Sequence, residues 1–548
     1  MRINLIGQRV KWLSAIFLFF AAFILARFVD MQILDNKGYI NREWGFSRAP
    51  LLSRSARGEI FLADRFGMLS PLAVNKSVFT VYTEPRNISN KEEAARVLSD
   101  VLSLPLETIK EKISKENDPY EVIAPRVSED VAGHIKDLGL SGVGVSSQLG
   151  RYYPLEELAA HIAGFVGVKG DKKTGQYGIE GFYEKELASE DGSLDKLVLS
   201  VDPHAQFKLE EALNNVVKRW DAIGGTAIVM EPSTGRILGM ANTPSFNPNE
   251  YAKTKDISAF TDPAVSGQFE LGSIFKPITM AAALNEKKVT PDTMYDDTAG
   301  EVVISGYHIK NFDGKAHGTP TMTQVLEKSL NTGVIFAEQQ IPKEVFRSYI
   351  QNFGFGARSG VDVQGESPGN VNNIKKDKDL EFATAAFGQG ITVTPLQMLT
   401  AISAIANGGL LMKPHVVDQK IYRDGSTESI EVPPVRQVIS SETAATLTKM
   451  LVSTVENGYD KAKVRGYFIA GKTGTAQISS EDKKGYSEED TIHSFVGYAP
   501  AYHPRFAVLV KIDRPQGVKF ASQSLAPVFS DIMAYLLTYY EIPPDIKE

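Results

Sequence analysis

Hydrophobic and polar positions fall into three textures along the chain. The first is an apolar run, Trp12-Leu13-Ser14-Ala15-Ile16-Phe17-Leu18-Phe19-Phe20-Ala21-Ala22-Phe23-Ile24-Leu25-Ala26, interrupted at Arg27 and resumed by Phe28-Val29. A spanning helix needs about 20 mostly apolar residues, a length reached here if Lys11 and Arg27 extend their charged ends towards the head groups. Arg2, Arg9 and Lys11 precede the run, which favours a cytoplasmic N-terminus with the rest on the far side. A cleaved signal peptide is the rival reading, although no clean small-x-small site precedes a polar start. The expectation is a cytoplasmic tail over 1–11 and a single transmembrane anchor over 12–29.

The second texture, over 35–200, is mixed. Short alternating runs such as Val78-Phe79-Thr80-Val81-Tyr82 read as strands, and polar stretches such as Asn90 to Ser103 read as helices. From about 205 the pattern sharpens. Ala205 to Arg219 predicts a helix with Phe207, Leu209, Leu213, Val216 and Val217 as its apolar residues. Gly225 to Met230 and Arg236 to Met240 predict a hairpin across the Glu231-Pro232-Ser233-Thr234-Gly235 turn. A second hairpin is predicted from Ser494–Tyr498 and Phe506–Ile512, and a last helix from about Leu525 to Tyr540. The stretch from Ser273 to about Thr454 reads as mainly helical. Strands at both ends of a helical middle predict an α+β domain over 205–548.

Composition narrows the chemistry. The 548 residues are 43% hydrophobic, enough for a large core and against a mainly disordered chain. There is no cysteine, which excludes thiolate nucleophiles, disulfides and Cys-ligated metals. A net charge of −7 argues against a nucleic-acid binder. The eight histidines show no metal-ligand spacing, and neither a phosphate-binding loop nor a Gly-x-Ser-x-Gly elbow is present. No metal and no cofactor are expected.

Ser-x-x-Lys is the informative pattern, and it occurs at Ser193–Lys196, Ser273–Lys276 and Ser480–Lys483. The first and third lie in polar, turn-like stretches and read as solvated loops. Ser273 follows Gly272 and opens the apolar segment Ile274 to Leu284, with Pro277 marking the first turn of a helix. Positions i and i+3 share a helix face, so Lys276 can lie beside the Ser273 hydroxyl, where burial would lower its pKa and make it a base. An N-cap serine with a surface lysine is the bland alternative. Lys328-Ser329-Leu330-Asn331-Thr332-Gly333, between helix candidates, offers a second hydroxyl and an amide, or simply a helix cap. Gly471-Lys472-Thr473-Gly474-Thr475 follows the strand-like Tyr467 to Ala470. Its glycine would let a ligand approach the backbone, or it is a plain edge strand.

Together and in this order, Ser273/Lys276, Ser329/Asn331 and Lys472/Thr473/Gly474 resemble the signature of penicillin-binding proteins and serine β-lactamases. Phe269 to Pro277 is similar to that family's Tyr-Glu-Pro-Gly-Ser-Thr-Phe-Lys-Pro, with Leu271 in place of proline. Phe387-Gly388-Gln389-Gly390-Ile391, Val393-Thr394-Pro395-Leu396-Gln397 and Ser494 to Pro500 are further family stretches. Arg57-Gly58-Glu59-Ile60 with Asp64-Arg65-Phe66-Gly67, then Arg151-Tyr152-Tyr153-Pro154 and Gly178-Ile179-Glu180, resemble the N-terminal module of the class B members, with one extra residue before Asp64 and Phe66 replacing a polar residue. No glycosyltransferase module fits between anchor and catalytic domain. The compact module resembles the division-type enzymes.

The resemblance implies a penicillin-binding-protein transpeptidase fold after a mixed N-terminal pedestal or dimerisation module, and a peptidoglycan D,D-transpeptidase. It implies Ser273 as nucleophile, Lys276 as its proton acceptor, Ser329 with Lys472 as the proton route to the leaving nitrogen, and Asn331 on the acyl amide. Thr473 and Thr475, flanking Gly474, would hold the substrate or β-lactam carboxylate. The implied partners are stem peptides, β-lactams, the membrane, a polytopic glycan polymerase and division proteins. The implied location is the plasma or inner membrane, with the catalytic domain outside. A scaffold with minor catalysis, a carboxypeptidase and a β-lactam-sensing relative are the alternatives. Leu271 and the acidic Ser480–Asp490 stretch leave β-lactam affinity open.

Overall fold

A computed structural model describes residues 56–115, 118–189, 193–479 and 486–546. The expected tail and anchor, and Ser480, lie outside the described residues; among the described residues no helix is long and apolar enough to cross a membrane. The chain divides into two compact units, one containing residues 75–150 and the other residues 57–74 with 151–548.

In the smaller unit the strand Leu69–Thr83, which enters from the larger one, pairs antiparallel with Glu121–Val127. Helices Lys91–Leu102, Leu106–Ile113 and Glu129–Asp137 close a core of Val81, Leu98, Ile109, Ile123 and Ile135. Asn90 and Ser128 each accept a backbone N–H of the helix they precede, so both helices start where the sequence places a capping side chain.

The larger unit is built on a five-stranded antiparallel sheet. Its strands are β1 (Gly224–Met230), β2 (Ile237–Thr243), β3 (Ala470–Ser479), β4 (Tyr486–Ala499) and β5 (Phe506–Asp513), in the order β3-β4-β5-β1-β2. Both predicted hairpins are present. The period of two decides the faces. Ala227, Val229, Val508 and Val510 point to α1 (Pro203–Arg219) and α7 (Ala526–Tyr539). Ile228, Met230, Leu509 and Val496 point to the helical subdomain. That subdomain contains α2 (Lys276–Asn285), α3 (Met322–Glu327), α4 (Asn331–Gln339), α5 (Pro395–Ala406) and α6 (Ser441–Gly458). One predicted core residue is displaced: Phe207 is 61% exposed, because the buried stripe of α1 runs through Ala205, Leu209, Ala212, Leu213 and Val216 at helical spacing.

The helical middle also carries strands that the sequence reading missed. Val417–Tyr422 pairs antiparallel with Leu194–Leu199, which pairs in parallel with Glu59–Ala63. The expected solvated loop at Ser193–Lys196 is therefore corrected: Lys196 lies within a sheet strand and shares no helix face with Ser193. The larger unit also holds a buried ion cluster. The fully buried Glu180 accepts from Arg57 Nε at 2.7 Å and Arg151 Nε at 2.6 Å, and Arg57 also pairs with Glu184 at 2.7 Å. Tyr153 adds a hydroxyl at 3.3 Å from Glu180. Burial alone would raise the Glu180 pKa, but the two guanidinium groups outweigh it and hold the carboxyl below its ordinary value.

Candidate active site

Ser273 sits in a 3₁₀ turn, Gly272–Phe275, that runs directly into α2 with Pro277 in its first turn. A 3₁₀ turn has three residues per turn, so Ser273 and Lys276 are eclipsed, more closely aligned than on an α-helix. Lys276 to Leu284 are all buried, whereas Ser273 is half-exposed. The turn is braced from behind: Gly272 N donates to Gly388 O at 3.1 Å. A Cβ on Gly388 would lie 2.4 Å from Gly272 O, which explains the glycine in the Phe387–Gly390 stretch. Leu271, where the family has proline, is buried with φ −74°, a value proline also adopts.

Ser329 lies between α3 and α4, as predicted. It has a φ of 56°, unusual for a residue with a side chain and a form of local strain that clusters at working sites. Its hydroxyl is where the motifs meet. Lys276 Nζ donates to Ser329 O at 2.5 Å and to Ser329 Oγ at 3.2 Å. Lys472 Nζ donates to the same Oγ at 3.0 Å, to Tyr459 OH at 2.6 Å and to Thr473 O at 3.3 Å. With both lysines as donors, the Ser329 O–H is left free to donate outward. Both lysines are fully buried, and neither is in an ion pair among the described residues. Burial first, and the charge of Lys472 second, hold the Lys276 pKa well below the ordinary lysine value. The expected Lys276–Ser273 neighbourhood is thus refined: the ammonium group's hydrogen bonds run to Ser329.

Asn331 Nδ2 donates to Lys310 O at 2.9 Å, leaving its second N–H and its Oδ1 for a ligand. A buried network fixes the start of α4: Thr332 Oγ1 bonds Asp297 Oδ1 at 2.8 Å, and Asn311 Nδ2 bonds Asp297 Oδ2 at 2.9 Å.

The Lys472 motif lies within edge strand β3, not after a strand ending at Ala470, so the edge-strand reading of this segment is the one the fold shows. Lys472 and Gly474 are buried, while Thr473 and Thr475 are half-exposed. A Cβ on Gly474 would meet Ser494 Oγ at 2.5 Å, and Ile274 Cγ2 and Leu271 O at 3.0 Å. This glycine therefore lets the strand lie against the turn that carries Ser273. Thr475 Oγ1 accepts from Ala521 N at 3.2 Å. His493 stands opposite Thr475 in register, bonds Ser524 through Nδ1 at 2.8 Å, and is pushed down to about 4 by burial. Phe312 and Phe520 meet edge to face at 5.8 Å between centroids.

The sequence reading missed Tyr459, Lys310, Asp297 and His493. Tyr459 lies at the C-terminal end of α6 with nothing local to mark it, and Asp297 shows its role only through long-range bonds. The site combines a hydroxyl in a helix-opening turn, a buried lysine with a lowered pKa, a second hydroxyl held between two lysine amino groups, and an edge strand with an open side. That set supplies the groups that deprotonation of a hydroxyl and protonation of a leaving group require.

Comparison with known proteins agrees in fold and sequence. Residues 225–534 match the penicillin binding protein transpeptidase domain, and residues 53–199 match the penicillin-binding protein dimerisation domain. Stage V sporulation protein D of Bacillus subtilis is 34% identical over 521 residues, covering 89% of this chain and 79% of that protein. Peptidoglycan D,D-transpeptidase FtsI of Escherichia coli K12 is 30% identical, covering 99% and 93%. Penicillin binding protein 3 of Mycobacterium tuberculosis, solved with aztreonam, superposes with a TM-score of 0.71 at 25% identity over 90% of this chain and 98% of that one. With the transpeptidase domain matching more than half of its length and relatives of this identity spanning nearly all of it, the chain belongs to the penicillin-binding protein transpeptidase family.

Proposed function

We propose that the chain is a serine D,D-transpeptidase that cross-links peptidoglycan stem peptides in cell-wall synthesis at division. The observation that carries this reading is the Ser329 hydroxyl held by both Lys276 and Lys472, one turn from a serine in a helix-opening position. Lys276, as the free amine, takes the proton of Ser273. Ser273 Oγ attacks the carbonyl of the penultimate D-alanine, and the backbone N–H groups of Ser273 and Thr475 receive the oxyanion. One such donor contributes about 3 kcal/mol to the transition state. The C–N bond then breaks. Ser329 donates its proton to the departing D-alanine nitrogen, and Lys472 resupplies it. Asn331 binds the acyl amide, and Thr473 and Thr475, with Gly474 between them, hold the terminal carboxylate. An amine from a second stem attacks the ester and loses its proton through Ser329 to Lys472, the amide bond forms as the ester C–O bond breaks, and Lys276 returns its proton to Ser273 Oγ. A β-lactam enters the same first step, but its leaving group stays tethered, so the ester persists.

The N-terminal run over 12–29 would anchor the chain once in the membrane, with the N-terminus in the cytoplasm and residues from about 35 outside. The module over 35–200 is read as a pedestal that docks a polytopic glycan polymerase and division proteins, and 205–548 as the transpeptidase domain. FtsI, named as a peptidoglycan D,D-transpeptidase, and the aztreonam complex support the activity and the drug target.

The test is acylation by a fluorescent penicillin, with the adduct located by peptide mass, followed by product analysis on a pentapeptide donor with an amine acceptor. A stable adduct on Ser273 and a cross-linked dimer are expected, both lost in Ser273→Ala. A free tetrapeptide without dimer would make the enzyme a carboxypeptidase, and rapid release of hydrolysed drug would make it a β-lactamase.

A further inference from the structure

Behind the nucleophile's turn lies a cavity of about 400 Å³ whose lining includes none of Ser273, Lys276, Ser329, Asn331 and Lys472. Its apolar walls come from Phe355, Val371, Leu411 and Met412, and its rim carries Arg358, Lys375 and Arg436. Arg436 stands opposite Leu411 in the two-stranded antiparallel sheet formed by Leu410–Met412 and Pro434–Gln437. The loop that brings Arg358 to the rim turns through Gly356 at φ +85°, where a Cβ would meet Val371 at 2.5 Å.

The polar groups are unevenly committed. Gln397 Nε2 is spent on Ala357 O at 2.7 Å and Pro368 O at 2.9 Å, and its Oε1 accepts Thr394 N. Thr400 Oγ1 bonds Leu396 O. The acids on this loop are committed elsewhere: Glu366 accepts from Ser359 and Gly360, and Asp362 from Val416, Val417 and Tyr183. Lys375 is held by Asn372. Among the described residues Arg358 and Arg436 make neither an ion pair nor a side-chain hydrogen bond. Two unneutralised guanidinium forks over an apolar floor attract an anion and hold it bidentately, while the floor takes up a hydrophobic body. The Gln351 amide is the neutral side-chain donor left in the lining, and the two guanidinium groups outweigh it in favour of an anion.

We propose that this cavity is a second binding site, separate from the transpeptidase centre, for a small amphipathic anion: a phosphate or carboxylate carried on an apolar, ring-sized body. Its position is informative. Phe355, part of the cavity wall, packs on Phe275 with ring centroids 5.4 Å apart, and Phe275 lies between Ser273 and Lys276.

The test uses the full-length protein in nanodiscs, titrated with 2-naphthyl phosphate, 2-naphthoate, 2-naphthol and inorganic phosphate. At least one naphthyl anion should bind saturably, and the tighter of the two tells a phosphate source from a carboxylate source. The neutral naphthol and bare phosphate should each bind at least about tenfold more weakly, since one lacks the charge and the other the apolar body. The double variant R358A/R436A should weaken the anion at least about tenfold while still being acylated by penicillin, which reports its fold. Binding should persist after penicillin has blocked Ser273. Equal binding by wild type and double variant, no saturable binding, or displacement by penicillin acylation would each overturn the site.

Discussion

Two clusters of buried charge stand in the larger unit, and they are built on opposite rules. Around Glu180 the charges are balanced: a carboxylate lies between two guanidinium groups, with a second carboxylate, Glu184, on Arg57. Around Ser329 they are not: two buried lysine amino groups meet at one hydroxyl, and among the described residues no carboxylate pairs with either. Buried charge is expensive in both places. In the first, counter-ions offset the cost, and the result is a fixed junction between Arg57 and Arg151, far apart in the chain. In the second, the cost is left standing, and it appears as a depressed lysine pKa, which is what the proposed role of Lys276 as a base requires. Compensated charge makes architecture here, and uncompensated charge makes chemistry.

Exchanging the two costs should separate them most sharply. Lys276→Met removes the base and leaves a side chain of similar length. Acylation by penicillin should fall by about 10²- to 10⁴-fold, the range of general-base contributions. Thermal stability should not fall, because a buried amine that no carboxylate compensates, and that folding holds away from its ordinary protonation, has been replaced by an apolar group. Glu180→Gln should do the reverse. It leaves two buried guanidinium groups facing a neutral amide and should cost about 3–5 kcal/mol of stability, with the acylation rate of the folded enzyme unchanged. Denaturant titration beside acylation kinetics reads both. If Lys276→Met destabilises as much as Glu180→Gln, the distinction between the clusters fails.

The pH dependence should differ in the same way. Glu180 has its pKa lowered in the fold, so the unfolded chain takes up that proton first. Its stabilisation is full above the ordinary value of 4.5 and is lost as pH falls through the lowered value. Lys276 is a base with a lowered pKa. Between that value and 10.5 the unfolded chain holds the proton that the folded chain has released, so its effect is to make stability rise with pH across that interval. Acylation should rise with pH over the lower edge of the same interval, and Lys276→Met should lose that limb. A wild-type profile that rises only near 10.5 would deny the burial effect.

What could be read from the sequence follows the range of the interactions. The hairpins of β1–β2 and β4–β5 and the helices α1 and α7 are legible because period-2 and period-3.6 patterns are local. Ser273, Lys276, Ser329 and Lys472 stand out because each puts a polar group into an apolar or turn context. The strand Val417–Tyr422 is short and half-polar, and its partner is more than two hundred residues away, so no local pattern marks it. The left-handed backbone of Ser329 is equally invisible, since serine is not a residue that signals φ > 0. Nor could spacing tell that Lys276 reaches across to Ser329, because i,i+3 geometry speaks only of its own helix.

Tyr459 is the smallest test of the comparison and a specific one. It supplies Lys472 with a neutral acceptor at 2.6 Å, where the other cluster would supply a carboxylate. An oxygen of this kind orients the ammonium group towards Ser329 without cancelling its charge. Tyr459→Phe keeps the ring and its edge contact with Phe495, whose centroid lies 6.2 Å away, and removes only the hydroxyl. The lost hydrogen bond, about 0.5–1.5 kcal/mol, should slow acylation by roughly 2- to 13-fold. Tyr459→Leu should slow it further by removing the packing as well. If Tyr459→Phe acylates at the wild-type rate and only Tyr459→Leu is impaired, the tyrosine serves as a wall, and the proton route from Lys472 to Ser329 needs no orienting partner.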